Sequence, residues 1–399
     1  MNIFKYKDFT LTVEDPVCVH RGHPFSEVGW GPDQFPGLSR TDSGDISLTW
    51  ATGADSIESY EQSVDGGRMI SQDGGATWRL PTPSDRAVGV RLPSGKEYFR
   101  PEPKNAYHAP WIDKYQPVYK VTDGSYCPSL YRAEDVPEFK NTYTSYEYDP
   151  ATGKKTPFES KVNWPHMAVG CFDVEGKKLV YPIECTMGIM GRFTACEDGS
   201  MLFCTYGHGF SAEDGSLDSP RHYNLWIFRS ADGGRTWDYL SELLTPPDID
   251  ADSGECEGFC EPMMTNAPDG SYVMLIRTGS SRPCYIARST DGCRTWSKPV
   301  KFDRYGVLPN ILTLGCGVTI ASYGRPGIYL RASCDPSATA WEKPVTILDE
   351  KTDSCCYTSL LPLSDTEALL AYSHFNLPDE SGTARKSILV CRVSVEMNR

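Results

Sequence analysis

The 399-residue sequence holds no Asn-x-Ser/Thr sequon and opens with no charged segment followed by an apolar one. No apolar run approaches the roughly 18 residues that a membrane span requires. These absences lead us to expect a chain of the reducing cytoplasm with no membrane contact. Basic charge is also scarce. Thirty-nine Lys and Arg against 53 Asp and Glu leave a net charge of −14, which argues against a nucleic-acid or anionic-membrane surface. A few local arginines could still hold a small anion. Metal-site spacing is missing as well: neither Cys256-x3-Cys260 nor the Cys355-Cys356 pair has a second half at zinc distance. The 15 cysteines therefore read as small buried hydrophobes, and neither metal nor cofactor is expected.

Turn formers are abundant instead. Thirty-five Gly and 30 Pro suit an all-β chain better than a helical one. Length alone would suggest two or three domains, but repeats can absorb it into one. Three octets share a pattern: Ser71-Gln-Asp-Gly-Gly-Ala-Thr-Trp78, Ser230-Ala-Asp-Gly-Gly-Arg-Thr-Trp237 and Ser289-Thr-Asp-Gly-Cys-Arg-Thr-Trp296, with a stretched copy from Ser333 to Trp341. Each reads as a tight turn in which Ser and Asp oxygens accept from nearby backbone N–H groups, Gly takes the left-handed position and Trp packs beneath.

A second repeat precedes the octets. Segments beginning near residues 34, 188, 259, 306 and 355 each read as a strand, a Gly/Asp turn and a short apolar strand. Ser387–Val395 is expected as a late strand of the last copy, with Thr10–Val13 beside it to close a ring. The stretch 86–187 would hold a divergent sixth copy. Within it, residues 98–164 carry fourteen aromatics, which either pack on the body or form a rim of Trp111, Tyr115 and Tyr119 for sugar stacking. The expected architecture is a single domain over 1–399, a six-bladed β-propeller of four-stranded antiparallel blades; six blades fit the repeat count better than seven.

The repeat register also selects residues. Glu261 and Tyr357 share one position near the start of an inner strand, and Arg277 and Arg325 share another on the loop after the second strand. Asp55, His208 and His374 fall on equivalent loops. Gln34 begins the first inner strand, after Trp30 and Asp33. A phenol with an ordinary pKa near 10 is a poor nucleophile. A carboxylate that takes its proton makes it a better one. Two arginines can grip an anion through charge-assisted hydrogen bonds.

The octets resemble the Asp-box of the sialidase and related propeller families, where it is structural. The segments Glu261–Arg277, Tyr323-Gly-Arg325-Pro-Gly327 and Cys356-Tyr357-Thr-Ser359 resemble those of sialidase sites, most closely after residue 188. By that resemblance Tyr357 is the nucleophile, Glu261 its proton-accepting partner, and Arg277 and Arg325 are anion clamps. Sialidases use a Tyr because their substrate carries a carboxylate at the anomeric carbon, which would repel an attacking carboxylate. Two departures stand out. The family's first Arg is replaced around Gln34-Phe35-Pro36, and its late supporting Glu is missing where this chain reads Ala371-Tyr372-Ser373-His374. The general acid would come from the first-blade loop, where Asp55 and Glu58 are candidates. The partner expected is an oligosaccharide or small glycoside. Three functions follow: a sialidase-type exo-glycosidase for acidic sugars, a hydrolase or lyase of uronate glycans using His208 or His374, and a glycan-binding propeller without chemistry.

Overall fold

A computed structural model describes residues 1–56, 59, 66–99, 113–117, 119–120, 129–138, 142–163, 171–174, 177–180, 191–208, 223–246, 248–249 and 256–398. Strands account for nearly all regular structure among them. The chain divides into two compact units, one formed by 1–88 with 263–399 and the other by 89–262.

In the first unit, hairpins recur at the expected places. Gln34–Arg40 pairs with Ile46–Ala51, Asn310–Thr313 with Thr319–Gly324, and Thr358–Pro362 with Glu367–Pro378, all antiparallel. The second strands are buried on both faces, as in Thr319–Gly324, where all six residues are inside. That is why they read as unbroken apolar or small runs rather than as alternating ones. The last sheet takes in the N-terminus. Phe9–Val13 lies antiparallel to Ala384–Met397, with Leu11 opposite Val395 and Val13 opposite Val393. The expected pairing of the two chain ends is therefore present, and Phe9 and Leu11 join Leu370, Leu389 and Val393 in one core cluster.

In the second unit, Gly191–Ala195, Met201–His208, Tyr223–Ser230 and Thr236–Leu243 form consecutive antiparallel strands. The strand Lys154–Asn163 then adds to the outer edge in parallel, with Val162 beside Trp237, making a sheet of eight. Both residues are fully buried, so the edge is sealed by apolar packing that a four-stranded antiparallel blade would not need. Sheet sizes among the described residues run from three to eight strands.

The octets all form the same turn. In the first, Gly75 N donates to Ser71 Oγ at 2.9 Å, Thr77 N to Asp73 Oδ1 at 2.9 Å, and Trp78 Nε1 to Gly75 O at 3.0 Å. The second and third octets repeat the first two of these bonds, onto Ser230 and Asp232 and onto Ser289 and Asp291. An Arg placed one residue before the octet Ser adds a brace: Arg229 Nε donates to Ser200 Oγ at 3.0 Å and Arg288 Nε to Ser271 Oγ at 2.9 Å. Hydrogen bonds from Thr77 hold the Asp73 carboxyl down at about 2. Its ordinary value is 3.8, so this contribution to stability is present above that pH and fades as the pH falls toward 2. Asp73→Ala is expected to lower the unfolding midpoint at pH 7 by ~2–4 °C, the size of one lost hydrogen bond in a domain of this scale. Thermal melts followed by circular dichroism between pH 7 and pH 3 check this, and the difference from wild type should narrow toward the acid end.

Candidate functional site

The site begins with backbone strain. Phe35, Glu261, Leu308 and Cys356 are non-glycine residues with φ of 57°, 44°, 31° and 56°. All four lie at the entry to a first hairpin strand, the position that the repeat register singled out. Three of them, Phe35, Glu261 and Leu308, precede a proline, which restricts them further. Left-handed φ at such residues costs on the order of 1–3 kcal/mol each and collects where geometry is used. Arg325, on the loop after Thr319–Gly324, is a fifth case at 78°.

Within the first unit Arg277, Arg325 and Phe35 converge on Tyr357. Arg277 ends the strand Tyr272–Arg277, is 7% exposed, and donates from Nη1 to the Tyr357 hydroxyl at 3.0 Å. Arg325 donates from Nε and Nη2 to the Cys355 carbonyl at 3.2 and 2.6 Å, which fixes its plane. Its Nη1 reaches Ser280 Oγ at 3.1 Å, and Arg277 Nη2 approaches the same oxygen at 3.5 Å. The Arg325 guanidinium carbon lies 5.4 Å from the Tyr357 ring centre and 5.2 Å from that of Trp30. Phe35 closes the other side, its ring centre 5.0 Å from that of Tyr357. Two cations thus flank one phenol, and a guanidinium that donates to its oxygen favours negative charge developing there.

Asp55 joins this group through Trp30. The indole Nε1 donates to Asp55 Oδ2 at 2.9 Å, and Asp55 N donates to Trp30 O at 3.2 Å. Between them stands Gly31, at φ 118°, where an added Cβ would lie 2.2 Å from Asp55 N; only glycine lets the two loops touch. Gln34 is fully buried, and its Oε1 accepts from Gly31 N at 3.1 Å, so it supports the loop from below. Sequence reading offered it as a substrate contact. The wall here presents a buried amide at this place.

Lys386, which the sequence does not single out, and Asp33, which it does, hold this wall. Lys386 is 1% exposed and donates from Nζ to the carbonyls of Gly29 at 2.6 Å and Pro32 at 3.2 Å. The final strand also carries Arg385 and Arg392, so a Lys there gives no distinct signal in the sequence. Asp33 is buried and bound to His20 Nε2 at 2.9 Å, His23 Nδ1 at 2.7 Å and His23 N at 2.9 Å. Burial alone would raise its carboxyl, but these hydrogen bonds outweigh it and hold the group at about 2.

The remaining candidates divide. Glu261 is buried, 5% exposed, and ends the second unit. His208 closes the strand Met201–His208 opposite Tyr223, also in the second unit, and its side chain lies outside the described residues. Tyr115 donates its hydroxyl to Glu138 at 2.7 Å. Glu58, Trp111 and the Tyr119 side chain fall outside the described residues. His374 Nδ1 accepts from Asn376 N at 3.2 Å, which leaves its proton on Nε2. No three His, Cys, Asp or Glu side chains among the described residues are grouped to hold a metal ion.

The comparisons agree with this picture at the level of fold. Residues 177–368 match the family model described as a BNR repeat-like domain. Among solved structures, a protein of unknown function from Dyadobacter fermentans is 16% identical with a TM-score of 0.60, over 97% of this chain and 99% of that one. The α-L-arabinanase of Penicillium chrysogenum, solved with arabinobiose, is 13% identical with a TM-score of 0.49, over 95% of this chain and 98% of its own. The NanB sialidase of Streptococcus pneumoniae is 14% identical with a TM-score of 0.49, over 94% of this chain and 70% of its own. No curated protein sequence matches. The described fold is all-β, and residues 177–368 carry the match to the BNR repeat-like domain.

Burial lowers the His374 pKa from its ordinary 6.5. Below pH 6.5 the unfolded chain takes a proton that the folded one resists, so stability falls with acidification. His374→Gln should flatten the loss of urea midpoint between pH 7 and pH 5 relative to wild type.

Proposed function

We propose that this protein is an exo-glycosidase of sialidase type, with Tyr357 as nucleophile. The observation that carries this reading is the 3.0 Å hydrogen bond from Arg277 to the Tyr357 hydroxyl, with Arg325 packed against the same ring. In the first step the phenolic oxygen bonds to the anomeric carbon and its proton passes to a carboxylate base. Asp55 donates a proton to the departing oxygen as the glycosidic bond breaks. Water then adds to the anomeric carbon of the glycosyl-tyrosine, giving its proton to Asp55, while Tyr357 leaves and regains its own from that base.

The sugar is an acidic one. Two of Arg325's five N–H groups remain beyond its bonds to Cys355 and Ser280, and its plane is already set for a carboxylate. Gln34 in place of a third cation favours an anion that is less demanding than that of sialic acid, such as a uronate. Chemistry through a histidine has less support, since His374 Nδ1 already accepts a backbone N–H. The six-bladed architecture belongs to the same reading and rests on the recurring hairpins and strained strand entries.

A panel of aryl glycosides tests the proposal: a sialoside, a glucuronide, a rhamnoside and neutral hexosides. Wild type should release aryl alcohol from an acidic member, and Tyr357→Phe should lower that turnover by at least ~100-fold, the scale on which removing a catalytic group acts. Arg325→Ala should raise KM more than it lowers kcat. Turnover unchanged in Tyr357→Phe would overturn the nucleophile.

A further inference from the structure

Trp30 poses a question of cost. It is 45% exposed, yet the loop that carries it is held by a buried ammonium and a buried carboxylate. Lys386 clasps the carbonyls on both sides of it, at Gly29 and Pro32. Desolvation lowers the Lys386 pKa, so the burial opposes its charge. Three residues after Trp30, Asp33 is fixed by His20 and His23. Edge-on contacts from Phe35 at 6.2 Å and Phe375 at 6.0 Å, and the Arg325 guanidinium against its ring, complete the mount. Burying two ions is expensive unless they do something that apolar packing would not. Here they immobilise an aromatic side chain that is not itself buried.

We propose that Trp30 is a stacking platform for the sugar on the leaving-group side of the bond that is cut, and that it positions Asp55 for the same bond. A sugar ring presents axial C–H groups on one face, which suits a flat and rigid aromatic surface. The indole N–H holds Asp55 Oδ2 at 2.9 Å, so the ring that receives the aglycone also orients the carboxyl that protonates its oxygen. The Arg325 guanidinium, 5.2 Å from Trp30 and 5.4 Å from Tyr357, separates this subsite from the one that holds the anion. The substrate class is then a disaccharide or longer glycan whose second residue is also a sugar, rather than the glycoside of a simple alcohol. This inference rests on the glycosidase reading of the same site.

The test separates the two. Binding is measured by calorimetry in the Tyr357→Phe background with sialyl-galactose, arabinobiose, cellobiose and digalacturonate, each against its component monosaccharides. At least one disaccharide should bind more tightly than either component by about tenfold, the worth of one well-made stacking contact. Trp30→Ala should remove that excess and Trp30→Phe should keep most of it, with thermal midpoints equal to the parent. In wild type, Trp30→Ala should raise KM for the disaccharide glycoside but not for the glycosyl fluoride of the same sugar, which has no aglycone ring. Disaccharide binding through Trp30 without turnover of any glycoside would sustain the platform and sink the nucleophile. Turnover with disaccharide affinity unchanged in Trp30→Ala would sink the platform and sustain the nucleophile. If no disaccharide exceeds its monosaccharides, the platform is likewise overturned.

Discussion

The guanidinium of Arg325 is the junction on which the site depends. Two of its N–H groups are fixed by the Cys355 carbonyl, immediately before the strained Cys356-Tyr357 entry, and a third meets Ser280 beside Arg277. Its faces and edges then serve two aromatic rings, Tyr357 and Trp30. A lysine could not take its place, because a point charge has neither the fork that grips the carbonyl nor the plane that packs on rings. If this group shifts, the phenol loses one wall and the Trp30 loop loses its tie to the phenol together.

What surrounds that junction is arranged to keep it from shifting. Non-glycine residues in left-handed conformations at Phe35, Leu308, Arg325 and Cys356 turn the chain sharply where it enters or leaves the strands. Such strain persists only where the rest of the fold over-determines it. The octet turns supply part of that, since Ser and Asp oxygens in each accept backbone N–H groups of the same turn. Strands buried on both faces, such as Tyr272–Arg277 and Thr319–Gly324, supply the rest. Arg277 thus ends a rigid element, and its distance to Tyr357 follows from sheet packing rather than loop chance.

Much of this was legible in the residues. Ser-x-Asp-Gly octets specify one local turn, so three copies identify the fold class without any long-range information. The same repeats gave a register, and that register singled out Tyr357, Arg277 and Arg325, which do meet. Asp55 was reached as a loop candidate, but its tie to Trp30 was not foreseen. Lys386 escaped as a structural device because it donates across more than three hundred positions of chain, to Gly29. Likewise, nothing in the sequence of Lys154–Asn163 announces a parallel partner. Edge pairing is decided by which apolar side chain, here Val162 beside Trp237, remains to be covered. Gln34 shows the limit in another way: its place in the repeat suggested a ligand contact, and burial assigned it to the loop.

The most direct test of the account is to trap the covalent species. Wild-type protein would be treated with a fluorinated glycosyl fluoride of whichever acidic sugar it turns over, digested and examined by mass spectrometry. Fluorine beside the anomeric carbon slows attack and release alike, but the good fluoride leaving group keeps attack fast, so the glycosyl-enzyme should accumulate. The account predicts an adduct on the peptide that carries Tyr357, mapped to its phenolic oxygen and absent from Tyr357→Phe. An adduct on Glu261 or Asp55, or steady turnover with no adduct on any residue, would contradict it.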